Sequence, residues 1–176
     1  WNKPTALAMT LAPLQEVLPH YGLDFAALAR RVGIDPTLLS RPNARCPSAR
    51  IQKLWRLAAA EADDPLFGLR AGQLARPGIF HALGMGIVSS TSVLAALRRI
   101  ERYSSVVSTN GRFVLLVQDD LARLETRRTA VTVVPSPQYF DAAIVTICRV
   151  LRLCAGPSAV PLKVTLPYRG EAPPEA

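Results

Sequence analysis

The spacing of apolar residues changes near the middle of the chain, and this change constrains the fold more than any other feature. Before Asn110-Gly111, apolar residues recur every three or four positions, as on one face of an amphipathic helix. Asn-Gly is a turn-forming pair, and the stretch RFVLLVQ that follows has the β-rich composition of a strand. We therefore predict an α+β fold, with its helices concentrated in the first part of the chain.

The helical spacing predicts several separate helices, because prolines and glycines interrupt it repeatedly. Pro13 and Pro19 start, kink or end the first segment, and Gly22 stops it. The longest helical patterns follow Pro47, begin at Thr91 and run over residues 140–154. Shorter helices are predicted at three further stretches, residues 7–21, 25–32 and 66–75.

Strands are predicted at RFVLLVQ, LARLETR, TAVTVVP and LKVTLPY, with a turn at Asp119-Asp120. The expected architecture is a helical N-terminal half packed on a small antiparallel sheet, with an amphipathic helix before the last strand. We expect residues 1–168 to form a single domain. Residues 169–176 are a polar, proline-rich tail or the start of a linker.

One stretch, DFAALARRVGIDPTLLSRP, imitates a helix-turn-helix unit. A recognition helix must be long enough to place several side chains in the major groove of DNA. Pro36 and Pro42 leave only about six residues between them. We interpret this stretch as a structural pair of helices.

Composition and charge narrow the class of protein. The 21 lysines and arginines against 13 acidic residues give a net charge of +8, but they are scattered, so charge alone does not predict DNA binding by this chain. No apolar run approaches the roughly 20 residues of a membrane-spanning helix, and the first residues lack a signal-peptide pattern. We expect a cytoplasmic protein that makes no membrane contact, with Cys46, Cys148 and Cys154 as free thiols.

Motifs for catalysis or cofactor binding are missing from the sequence. Gly84-Met85-Gly86 lacks the third glycine and the acidic residue of a dinucleotide motif, and it is better explained by close packing of two elements. His20 and His81 are isolated from cysteines and carboxylates at metal-ligand spacing. We predict no metal, no cofactor and no enzymatic activity.

His81 stands out as a polar residue in the otherwise apolar stretch GIFHALGMGIV. It is either a partly buried histidine bonded to a nearby carbonyl or a polar group that contacts a ligand in an apolar pocket. A haem ligand is a third alternative, which no second feature supports. Tyr103 and Tyr139 carry hydroxyls that suit a cavity or its rim equally well.

Two longer stretches resemble a known family. GIDPTLLSRPNARCPSARIQKLWRLAAAEADDPLFGLRAG has its glycine–hydrophobic–Asp-Pro turn and a helix ending in D-P-x-F-G-L-R. PGIFHALGMGIVSSTSVLAALRRIERYSSVVS has its glycine-bearing segment and the following helix ending in R-Y. Both resemble the N-terminal arabinose-binding-type domain of AraC-type transcription regulators, over roughly Leu14 to Tyr168.

The resemblance implies an effector-sensing and dimerisation domain of a transcription regulator. Relatives continue into paired helix-turn-helix units, and the chain ends at Ala176 before such a pair, so DNA would be bound only through that missing part. We expect a small-molecule effector, which need not be arabinose, and a homodimer, with residues 140–154 as one candidate interface. The alternatives are a structural protein–protein interaction domain without a ligand and, less well supported, a small enzyme.

The resemblance supplies no ligand motif, so the candidate ligand-binding residues are chosen by their chemistry. Aromatic, thioether and imidazole groups suit an apolar pocket with few polar groups, and arginines suit a carboxylate effector, although arginines on a solvated helix face are commoner. The candidates are Phe80, His81, Met85, Tyr103, Tyr139, Arg76 and Arg102.

Overall fold

The structure, a computed structural model, describes residues 3–128 and 133–168. Within these residues the chain forms seven α-helices and two antiparallel sheets of two strands each, which confirms the α+β class. The helices are α1 Ala12–Val17, α2 Phe25–Arg31, α3 Ser48–Ala62, α4 Phe67–Leu74, α5 Ala82–Val88, α6 Val93–Val107 and α7 Pro137–Ala155. The strands are β1 Thr5–Leu7, β2 Arg45–Pro47, β3 Gly111–Gln118 and β4 Leu121–Arg128.

The first segment is broken as its prolines predict. The 3-10 helices Ala8–Leu11 and Leu18–Tyr21 flank α1, and Gly22 follows with a positive φ of 67°. The stretch that imitates a helix-turn-helix forms α2 and only the short 3-10 helix Pro36–Ser40, so it is the structural pair predicted.

Serine side chains cap the N-terminal ends of helices α6 and α7. The Ser92 hydroxyl accepts a hydrogen bond from the Ala95 N–H at 3.1 Å, and this contact caps α6. The Ser136 hydroxyl accepts from the Tyr139 N–H at 3.2 Å and caps α7. The Ser136 N–H in turn donates to Gln52 Oε1 at 2.9 Å in the interior, so the start of α7 is tied to α3.

One of the two sheets was predicted from the sequence and the other was not. β3 and β4 form the predicted hairpin across Asp119-Asp120, where Asp119 takes a φ of 50°. The sequence patterns did not indicate β1 and β2, which are three residues each and pair Ala6 with Cys46. They bring together segments about 40 residues apart within the helical half.

Three expectations need correction. The last strand, predicted at LKVTLPY, is wrong: residues 162–168 form no strand and pair with none of the described strands, and Leu162 is 87% exposed. Of TAVTVVP, residues 129–132 lie outside the described residues and residues 133–135 form no strand. The helical pattern that begins at Thr91 predicts that Val93, Leu97, Ile100 and Val107 face inward. Val93 is exposed in the first turn of α6, whereas the other three are buried as predicted.

The buried apolar residues form two clusters. The N-terminal cluster contains Leu11, Leu14, Leu18, Leu54, Trp55, Phe67 and their neighbours. The C-terminal cluster contains Ile87, Ala96, Leu97, Ile100 and Val150, with side chains of the hairpin packed on it. Helix α7 takes part in both, through Ala142 in the first and Val150 in the second.

Glycines allow the close packing of α7 on α4. A Cβ on Gly72 would lie 2.7 Å from the Ala142 carbonyl oxygen, and one on Gly68 would lie 2.7 Å from the Gln138 Cα. Gly84 plays the same part in α5, since a Cβ there would overlap the Pro77 carbonyl. Part of the Gly-Met-Gly stretch therefore serves close packing, as predicted.

Cys46 lies in β2 with 1% of its surface exposed. Burial raises the pKa of its thiol to about 11, although the Arg50 guanidinium acts in the opposite direction. All three cysteines are free thiols.

Candidate functional site

A cavity of about 140 Å³ lies where the two clusters meet. Its walls come from segments spread between Thr10 and Val150, on both the N-terminal helices and the later part of the chain. From the side of the N-terminal cluster it is lined by Pro13, Trp55, Tyr139 and Ala142. From the side of the C-terminal cluster it is lined by Phe80, Leu83, Ile87, Ile100, Ile147 and Val150.

Some polar groups of the cavity wall already have partners. The Thr10 hydroxyl donates to the Leu7 carbonyl at 2.7 Å, and the Thr146 hydroxyl donates to the Ala142 carbonyl at 2.6 Å. The Ser108 hydroxyl accepts from the Asn110 N–H at 3.3 Å. Thr10 and Thr146 thus use their O–H donors on the backbone but can still accept a hydrogen bond, and Ser108 can still donate one.

Two other polar groups of the wall lack partners among the described residues. Trp55 is 2% exposed and Ser104 is 7% exposed, yet neither the indole Nε1 nor the serine Oγ has a hydrogen bond. Buried polar groups in proteins are nearly always paired, and an unpaired one is destabilising. Both atoms are enclosed in the wall, with less than 1 Å² of accessible surface each.

Aromatic contacts hold the Trp55 ring in place. It meets Phe67 edge-on with ring centroids 6.1 Å apart and Tyr139 edge-on at 6.0 Å. Burial raises the pKa of the Tyr139 phenol, so this group is a neutral hydroxyl at neutral pH. The site thus has a neutral aromatic corner formed by Trp55 and Tyr139.

The sequence of the domain that contains this cavity matches a known family. The family model described as the arabinose-binding domain of AraC transcription regulators, N-terminal, matches residues 22–176. The chain belongs to this family. No individual curated protein shows significant similarity to it. The family is a regulatory, ligand-binding class and not a class of enzymes.

Two of the seven predicted ligand-binding residues of this AraC-type domain, Phe80 and Tyr139, line the cavity. Phe80 ends the 3-10 helix Pro77–Phe80, and Tyr139 lies in the first turn of α7. They are 59 positions apart in the sequence, so the fold and not local spacing brings them to one site.

His81 adjoins the cavity at the junction between that 3-10 helix and α5. Its backbone has φ 52° and ψ −135°, a conformation that residues with a Cβ rarely adopt. The side chain is half-buried, and its Nε2 is buried without a hydrogen bond among the described residues. The partial burial agrees with the alternative of a histidine bonded to a nearby carbonyl, but Nε2 makes no such bond. Ligand contact by His81 stays a prediction.

The remaining candidates lie away from the cavity. Met85 is 63% exposed, and the Arg76 guanidinium is solvent-exposed and 3.8 Å from the Glu16 carboxylate. Arg102 and Tyr103 are on the outer side of α6, with the guanidinium carbon 5.4 Å from the centre of the Tyr103 ring. Ligand binding by these four residues stays a prediction.

Trp55 and Ser104 are the residues that the choice by chemistry did not select. In the sequence, Trp55 cannot be distinguished from an ordinary core residue. Ser104 carried a usable signal, because it interrupts the buried stripe of α6 between Ile100 and Val107. A small polar residue on an apolar helix face indicates either a helix–helix contact or a lined cavity.

Metal binding and membrane insertion gain no support from the structure. The described residues contain no group of three or more histidines, cysteines and carboxylates arranged to hold a metal ion. Among the same residues, no helix combines the length and hydropathy needed to cross a membrane.

Proposed function

We propose that this domain senses a small molecule that binds in the cavity between the two clusters, and that it does so as the effector-binding part of a transcription regulator. The observation that carries the proposal is the cavity itself, which is lined by apolar and aromatic side chains from both clusters. Membership of the AraC-type family supports a regulatory role. Phe80 and Tyr139 would contact the effector directly.

The position of the cavity suggests how binding changes the protein. An effector would contact both clusters at once, and also α5 and the 3-10 helix before it. A ligand shifts a conformational equilibrium only by its difference in affinity between the two states. The effector would therefore favour the conformation in which both clusters contact it. The backbone at His81, between the 3-10 helix and α5, would take part in that change.

Dimerisation and DNA binding belong to the same proposal. The apolar face of α7, predicted as a candidate interface, packs largely inside the molecule through Ala142, Ile147 and Val150. Exposed apolar side chains instead occur near the hairpin turn, at Leu116, Val117 and Leu121. We place the homodimer contact there, and DNA binding in helix-turn-helix units of a longer, cytoplasmic regulator.

The test is a thermal-shift screen of the chain against a broad library of small neutral and charged molecules. A specific ligand raises the midpoint of unfolding by mass action. The variant Ala143→Leu adds a side chain to the cavity wall and should abolish the shift. Ala155→Leu, at an exposed position of the same helix, should leave it unchanged.

The screen also tests the second candidate function, a protein–protein interaction domain without a ligand. The exposed apolar residues of the hairpin favour that alternative. Ligand shifts that are equal in wild type and Ala143→Leu, or no shift across the library, would contradict a sensing cavity.

A further inference from the structure

We infer that a groove on the outer side of α6 binds a small molecule through a phosphate group. The groove measures about 290 Å³, is open to solvent and is lined by Ala95, Arg98, Arg99, Arg102 and Tyr103. It is distinct from the cavity, because no described residue lines both. The inference therefore goes beyond the proposed function and does not depend on it.

The positive charge of the groove is not neutralised by the protein. None of its three arginines forms an ion pair within residues 3–128 and 133–168. From residue 65 to residue 118 the sequence holds one acidic residue, Glu101. The Glu101 carboxylate accepts a hydrogen bond from the Leu115 N–H at 2.7 Å, so it is engaged with β3. The groove thus keeps three unpaired positive charges for an external anion.

Two of these arginines are one helical turn apart. Arg98 and Arg102 are four positions apart in α6, which places their side chains on the same face of the helix, with roughly 5–6 Å between their Cβ atoms. Like charges at this spacing destabilise a helix, and a bound anion would remove that repulsion. The Arg102 guanidinium carbon is 5.4 Å from the centre of the Tyr103 ring, a cation–π contact that favours one orientation of the side chain.

The third arginine is held by the C-terminal end of α5. Arg99 Nη1 donates to the Gly86 carbonyl and also to the Ser89 hydroxyl, the latter at 3.4 Å. Its Nε and Nη2 form no hydrogen bond with any described residue, so their N–H groups can still donate to a ligand. Because the side chain is already ordered, less conformational entropy is lost when an anion binds.

The three guanidinium groups favour a phosphate over a singly charged anion. Guanidinium groups form paired hydrogen bonds with the oxygens of phosphates and carboxylates. A phosphate monoester carries a charge of about −1.5 to −2 at pH 7 and has three acceptor oxygens, so it can engage several arginines at once. A single exposed ion pair contributes little to stability, and a lone carboxylate would therefore be held weakly.

The experiment compares three probes of similar size on the full chain. Glycerol 3-phosphate carries the phosphate, glycerate carries one carboxylate and glycerol is neutral. Affinities are measured by titration calorimetry at constant ionic strength. We expect glycerol 3-phosphate to bind about tenfold or more tightly than glycerate, glycerol not to bind, and the affinity for glycerol 3-phosphate to fall as salt is added.

Variants then assign the binding to the groove. Arg98→Gln and Arg102→Gln should each weaken the binding of glycerol 3-phosphate by about threefold to tenfold. Arg149→Gln removes an exposed arginine from α7, outside the groove, and should leave the affinity unchanged. Circular dichroism checks that all three variants are folded. Equal weakening by the three substitutions would show attraction to the overall positive charge and would overturn the site.

Further outcomes separate this site from the cavity and from nucleic acid. Ala143→Leu, which adds a side chain to the cavity wall, should not change the affinity for glycerol 3-phosphate, and a loss of binding in this variant would overturn a separate site. No binding of glycerol 3-phosphate, or an affinity no higher than that of glycerate, would overturn the phosphate site and leave the proposed function intact. The same holds if a DNA duplex binds through Arg98 and Arg102 and glycerol 3-phosphate does not.

Discussion

At the scale of single residues, His81 is held in a backbone conformation that glycine adopts more easily. Its φ of 52° with ψ −135° brings the Cβ close to the backbone, and such residues cost about 1–3 kcal/mol. The strain lies between two elements that line the cavity, and the imidazole Nε2 gains no hydrogen bond in return among the described residues. The sequence pattern singled out His81 for its chemistry, but the structure makes its backbone the more unusual feature.

We therefore expect His81→Gly to be more stable than His81→Ala. Both variants remove the imidazole, but only glycine removes the Cβ, so the difference should be about 1–2 kcal/mol in the free energy of unfolding. Urea denaturation measures it. In an unstrained site the order would be reversed by roughly 0.5–1 kcal/mol, so a more stable alanine variant would contradict the strain.

At the scale of elements, the contact between α4 and α7 positions one wall of the cavity. Gly68 and Gly72 face the α7 backbone from one side of α4, and their missing side chains let the two helices approach closely. Ala142 and Tyr139 reach the cavity from the α7 segment held in this way. The spacing of the two glycines was visible in the sequence, but their partner helix was not.

Gly72→Ala should lower the free energy of unfolding by about 1–3 kcal/mol, because its Cβ would press on the Ala142 carbonyl and the Val145 side chain. Chemical denaturation provides the measurement. The matched control is Gly78→Ala, whose Cβ would meet nothing within 4 Å. Equal stability of the two variants would show that α4 and α7 are not closely packed.

The helices and strands show which parts of the fold can be predicted from local sequence patterns. Helices α3, α6 and α7 were predicted because their apolar stripes persist over four or five turns, and the hairpin was predicted from its composition and turns. Strands β1 and β2 were missed because three residues are too few to establish a period. The false strand at LKVTLPY has the right composition, but composition alone does not bring a segment beside a partner strand, and this segment pairs with none of the described strands.

At the scale of the whole molecule, α7 packs against both clusters. It packs on α4 and α3 near its start and on α5 and α6 further along. Phe80 and Tyr139 could be chosen for the site from their chemistry, whereas the cavity could not be predicted, because its walls come together only when α7 lies between the clusters. The unpartnered state of Trp55 and Ser104 is likewise a property of the assembled fold.

Because α7 packs on both clusters, we predict that a destabilising substitution in one cluster also lowers the midpoint of unfolding measured in the other. Leu97→Ala, in the C-terminal cluster, should destabilise the protein by about 2–4 kcal/mol and lower the midpoint of unfolding reported by Trp55 fluorescence in the N-terminal cluster. The measurement uses a Trp1→Phe background, so that Trp55 is the reporter. Val106→Ala, exposed on the same helix, should leave the midpoint unchanged, and separate transitions for fluorescence and circular dichroism would indicate two independent units.

Alkylation of the buried Cys46 thiol can be used to follow the opening of the sheet formed by β1 and β2. With a pKa of about 11 and almost no exposed surface, Cys46 is a protonated thiol at neutral pH and is shielded from alkylating reagents. Its rate of modification therefore reports the opening of the structure around β2: the population of the open state when closing is faster than alkylation, and the opening rate when alkylation is faster. Because β1 leads directly into the segment that contributes Thr10 and Pro13 to the cavity wall, that rate reports whether an occupied cavity also holds the N-terminal edge of the domain closed.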